Sequence, residues 1–178
     1  MAMRATTASQ AYPLLERQAK RLQPGVAIGI VVVALILQII LPIYVRWAGL
    51  LDLMLLVVVY LALLRRNVIT GLLTGAAIGM AQDALTHGPI GLFGIINTII
   101  GYLGASVSQF VEVEYPGAKS VLAGLFFLVH QALFWIVQGG LLGNPVAIDL
   151  PRTLVLAAVH AGLTLPMYSL FDRFKKAN

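Results

Sequence analysis

Apolar stretches about as long as a bilayer-crossing helix recur along this chain, and polar residues are mostly confined to the breaks between them. The first, "VAIGIVVVALILQIILPIYV" over 26–45, is followed by runs at 48–64, 68–85, 91–111, 120–142 and 152–171. A helix needs about 20 apolar residues to cross roughly 30 Å of hydrocarbon, so the pattern predicts six transmembrane helices. Pro42, Pro89 with Gly91, Pro116-Gly117, and Asn144-Pro145 with Pro151 punctuate the runs as turns or helix starts. Arg65-Arg66-Asn67 marks the second boundary by charge alone.

Polar residues outside the runs set the organisation. Residues 1–24 form a cytoplasmic segment, either a short interfacial helix with Leu14, Leu15 and Leu22 toward lipid or a solvated tail. The transmembrane domain covers 25–172, and 173–178 is a cytoplasmic basic tail. No small-residue cleavage site follows the first run, which therefore reads as a retained span. With six helices and the N-terminus inside, the cytoplasmic face holds Arg4, Arg17, Lys20, Arg21, Arg65, Arg66, Lys119, Arg173, Lys175 and Lys176. The other face holds only Arg46 and Arg152. That bias places both termini in the cytoplasm, because basic residues are retained on the inner side.

Composition closes off other classes. With 60% hydrophobic and 11% charged residues, almost nothing remains for a water-soluble domain. A pI near 9.8 would suggest nucleic acid in a soluble protein, but here it reflects membrane topology and implies no nucleic-acid partner. The absence of cysteine excludes disulfides and thiol catalysis.

Depth organises the candidate chemistry. At about 1.5 Å per residue, Asp83 lies roughly 24 Å from the inner start of its helix, and Asn97 about 20 Å above the inner end of the next. The stretch "THGPIG", which includes His87, is then a tight outer turn beneath which Asp83 and Asn97 face each other, with His130 or His160 as further partners below. His130, Gln131, His160 and Gln38 all fall near mid-depth. An ionisable residue in a span normally faces the bundle interior and marks a functional site; the alternative is interhelical glue.

Gly71, Gly75 and Gly79 recur every four residues on the third helix, and Gly101, Gly104, Ala105 and Ser108 continue the theme on the fourth. Small residues let backbones approach in lipid, so this stripe serves either packing of those two helices or docking of a partner helix. Pro166 is expected to kink the sixth helix. Asp52 and Asp149 fall near outer helix ends, within reach of water. No HExxH, GxSxG or P-loop pattern is present, so the residues point to no catalytic group, metal or cofactor.

The stretch "GAAIGMAQDALTHGPIGLFGIINTIIGYLGA" resembles the signature region of the bacterial rod shape-determining protein MreD family. Its elements here are Gln82-Asp83, the turn Gly88-Pro89-Ile90-Gly91, and Gly101-Tyr102. The resemblance implies a non-enzymatic scaffold of the cytoplasmic membrane, in the complex that builds side-wall peptidoglycan. It implies binding to MreC and, through it, to MreB, RodA and a class B penicillin-binding protein. It also implies a bundle similar to the S components of energy-coupling-factor transporters. That likeness supplies an alternative function, capture of a small molecule in an outward pocket. Against it, Ala27 and Ala34 on the first helix lack the Ala-x-x-x-Ala spacing with which S components dock their transporter.

Overall fold

The computed structural model describes residues 22–65, 67–86, 88–110, 115–144 and 146–174. His87, Leu14, Leu15 and most of the basic N-terminal and C-terminal residues lie outside that set, so the expectations made for them are not addressed by it. The described residues form helices α1 (Pro24–Tyr44), α2 (Leu53–Arg65), α3 (Val68–Leu85), α4 (Leu92–Phe110), α5 (Pro116–Trp135) and α6 (Leu150–Asp172). A 3₁₀ turn (Arg46–Leu50) precedes α2, and a π-helical turn (Ile136–Leu141) extends α5. Five of these helices, with α5 counted through its π turn, are long and apolar enough to cross a membrane.

The second run departs from expectation. In place of one helix over 48–64, it breaks at Leu51 and Asp52, and α2 has only 13 residues. The break has a local cause: the Asp52 carboxylate accepts the Leu55 N–H at 2.9 Å, which caps a new helix start at that position. The break is also stitched to α1. Gln38 Nε2 donates to the Leu51 carbonyl at 2.9 Å, and its Oε1 accepts the Leu53 N–H at 2.8 Å. After Tyr44 the chain therefore folds back along α1, and α2 begins level with Gln38.

α2 is the axis of the bundle. Every residue from Met54 to Ala62 is at most 3% exposed, and α2 packs against α1, α3, α4, α5 and α6. Its sequence, LMLLVVVYLALL, is apolar on all sides, as a helix enclosed by protein should be. α1 is the opposite case, with only 11% of its most apolar window buried. Val32, Val33, Ile36, Ile39, Ile40 and Ile43 all face outward from it.

The end of the bundle where α2, α4 and α6 finish is here termed basal, and the end carrying the α3–α4 turn distal. The basal end is tied by Tyr60, whose hydroxyl donates to Asp172 at 2.9 Å, and by Lys119, paired with the same carboxylate at 2.7 Å. Tyr168 donates to the Leu56 carbonyl at 2.8 Å. On α6, Pro166 lies inside the helix.

Candidate functional site

α3 and α4 meet with almost nothing between their backbones. A Cβ added at Gly71 would lie 2.5 Å from the Gly101 carbonyl oxygen; one at Gly75 would strike the Asn97 carbonyl, and one at Gly79 that of Phe93. Each four-residue step up α3 is thus matched by a four-residue step down α4. The stripe is taken up by internal packing of α3 against α4, the first of the two uses the sequence left open for Gly71, Gly75 and Gly79. Gly104 is internal too, with a Cβ there 3.0 Å from Ala62 on α2.

This contact sets Asp83 beside the first turn of α4. Its Oδ2 accepts the N–H groups of Gly91 at 3.1 Å and Gly94 at 2.8 Å, and its Oδ1 accepts that of Phe93 at 2.9 Å. The first N–H groups of a helix have no partners within it, and its N-terminus favours negative charge. Here Gly91 occupies the position before α4 and has no side chain with which to cap. The cap comes instead from Asp83, on the preceding helix. Leu92 N–H bonds to the Pro89 carbonyl at 3.3 Å and Ile95 N–H to that of Gly91 at 2.9 Å, so the first four amides of α4 are all satisfied. Two glycines make this geometry accessible. Gly91 adopts φ +95°, in the left-handed region, and a Cβ on Gly94 would press to 3.2 Å from the carboxylate.

Asn97 is therefore not the partner of Asp83. Its Nδ2 donates to Gln82 Oε1 at 3.0 Å, forming a second buried α3–α4 bond one residue away from the cap. Gln82, Asp83 and Asn97 are all at most 5% exposed. Of the remaining turn and motif residues, Gly88 has open space around it. Tyr102 is half exposed on the outside of α4, so neither joins the cluster.

His130 and His160 gather elsewhere, around Asp52 at the start of α2. His160 Nε2 accepts the Asp52 N–H at 3.0 Å; its Nδ1 must then carry the proton and donates to the Leu156 carbonyl at 2.7 Å. His130 Nε2 lies 3.4 Å from Asp52 Oδ2, and the ring stacks on Phe93, centroids 6.2 Å apart. The expectation that these histidines lie below Asp83 is corrected: they share its depth but belong to the neighbouring cluster. Asp52, set aside in the sequence as a solvated residue, is its centre, with a side chain only 14% exposed. An Asp immediately before an all-apolar helix was the available signal.

Counted from the basal helix ends at about 1.5 Å per residue, Gln38, Asp83, Asn97, His130 and His160 all lie about 18–22 Å up. One polar belt crosses the distal half of the bundle, and both of its carboxylates face helix starts. Among the described residues no group of three or more His, Cys, Asp or Glu is placed to hold a metal ion. A cavity of about 270 Å³ lies beyond this belt, at the distal end of α5, lined by Trp135, Gly139, Gly143, Asn144, Val146 and Ile148.

A family model described as rod shape-determining protein MreD matches residues 19–174, nearly the whole chain. No curated protein and no solved structure matches it.

Proposed function

The chain belongs to the rod shape-determining protein MreD family, and from that premise we propose that it acts as a non-enzymatic scaffold in the bacterial cytoplasmic membrane. In this role it holds MreC beside the machinery for side-wall peptidoglycan synthesis, with MreB, RodA and a class B penicillin-binding protein as further members. The supporting observation is the use made of Asp83. The carboxylate of the family-like motif is occupied by three backbone N–H groups, so the motif works as a joint between helices and offers no free base or nucleophile. A rigid bundle with a largely apolar exterior suits a protein whose partners bind by close packing in lipid.

The same reading includes six crossings with both termini cytoplasmic. α2 starts level with Gln38 on α1, and 13 residues at about 1.5 Å each return it to the basal end. The Arg46–Leu50 turn and residues 51–52 complete that crossing. Because protein encloses α2, its own apolar length need not match the bilayer. Reporter fusions after Phe174 and within 146–149 should report opposite sides of the membrane. Fusions reporting the same side would reject this topology.

Partner identity is tested by purifying the tagged chain from its own membranes under mild detergent. MreC is expected to be retained. Recovery of an ATPase transporter module in its place would favour the capture-subunit alternative, and recovery of neither would overturn the scaffold reading.

A further inference from the structure

The two buried histidines of the belt are held differently. His160 is locked by bonds at both ring nitrogens, one accepting from Asp52 N–H and one donating to Leu156. His130 is 4% exposed, yet neither of its ring nitrogens makes a hydrogen bond. A buried polar group without a partner is costly, and such groups call for an explanation. What faces His130 is a carboxylate: Asp52 Oδ2 stands 3.4 Å from Nε2.

We infer that Asp52 and His130 form a proton-binding site at the distal end of the bundle. Asp52, the more exposed of the two side chains, is the point of entry. A proton taken from water there passes to Nε2, leaving an imidazolium whose N–H donates to the Asp52 carboxylate. The other carboxylate oxygen stays on Leu55 N–H, so the cap on α2 survives. His160 is the other titratable group facing the pair, from α6, and its fixed tautomer excludes it as the proton acceptor. From α4, His130 meets Phe93, whose amide is held by Asp83; from α1, the neutral Gln38 flanks the start of α2. The charged pair would bind α5 to the start of α2, so acidification on the distal side would draw those two helices together. This site stands independently of the scaffold reading.

The test is ¹⁵N spectroscopy of the histidine-labelled full chain in lipid nanodiscs between about pH 5 and about pH 8, where histidine is the natural switch. The chain has three histidines, and His130→Gln identifies the signal. At the acidic end both ring nitrogens of His130 should be protonated, while His160 stays neutral. Asp52→Asn, which retains an oxygen to cap Leu55, should cut the charged fraction of His130 at a given pH by about tenfold or more, because the opposing charge is gone. If that variant does not fold, Asp52→Ser also supplies a cap and serves the same comparison. A His130 ring that stays neutral throughout in the wild type, or one equally charged without the Asp52 carboxylate, would overturn the inference.

Discussion

Gly75→Leu is expected to abolish folded protein in the membrane. A Cβ at that position would overlap the Asn97 carbonyl, and a backbone atom cannot rotate aside as the end of a flexible side chain can. Relief requires α3 and α4 to separate along the whole stripe, which would also release the Gln82–Asn97 bond and the Asp83 cap. The cost should exceed the roughly 1–3 kcal/mol typical of an overpacked core. Gly29→Leu on α1 is the control, since a Cβ there has nothing within 4 Å, and it should leave yield and thermal stability unchanged. Both are read by fluorescence-detected size-exclusion chromatography. Folded Gly75→Leu protein that no longer retains MreC would return the stripe to the partner interface.

Asp83→Leu should also be strongly destabilising, with the damage confined to the distal half. It strips three amides of their acceptor, which is itself only 5% exposed. At about 1–3 kcal/mol for each unbonded buried group, the loss amounts to several kcal/mol. Asp83→Asn should be milder but not neutral: its oxygen serves one side of the cap, while its NH₂ faces N–H donors that need an acceptor. Thermal stability should therefore rank wild type above Asn and Asn above Leu, with rod-shape complementation following the same order. A leucine variant as stable as the wild type would remove the cap from the account.

The sequence carried helix direction poorly. Counting residues put Asp83 and Asn97 together beneath the outer turn and His130 and His160 below them, whereas the same count from the observed helix ends brings all four to about 18–22 Å. Counting does not give the rotation of a helix about its axis, so the histidines were assigned to Asp83 although they surround Asp52. Nor does it weigh backbone donors. Asp83 was expected to pair with Asn97, yet the bare N–H groups of Phe93 and Gly94 are the stronger claimants on a carboxylate, being fixed, paired and at the positive end of a helix. α2 illustrates both sides. Its all-round apolar sequence fits a helix enclosed by protein, but its start depends on Asp52 and Gln38 acting across a fold-back that hydropathy does not register. The turn at Gly88–Gly91 and the glycine pairing of α3 with α4 were legible because both are local consequences of glycine and proline.

Amide hydrogen exchange at Phe93 and Gly94 in the wild-type protein, in lipid, tests most directly whether Asp83 joins α3 to α4. Those amides lie at the first turn of a helix, where exchange is ordinarily fast because no intrahelical partner exists. Held by a buried carboxylate, they should instead exchange as slowly as Ile100 in the middle of α4, and become fast in Asp83→Leu. Rapid exchange at both amides in the wild type would contradict the account.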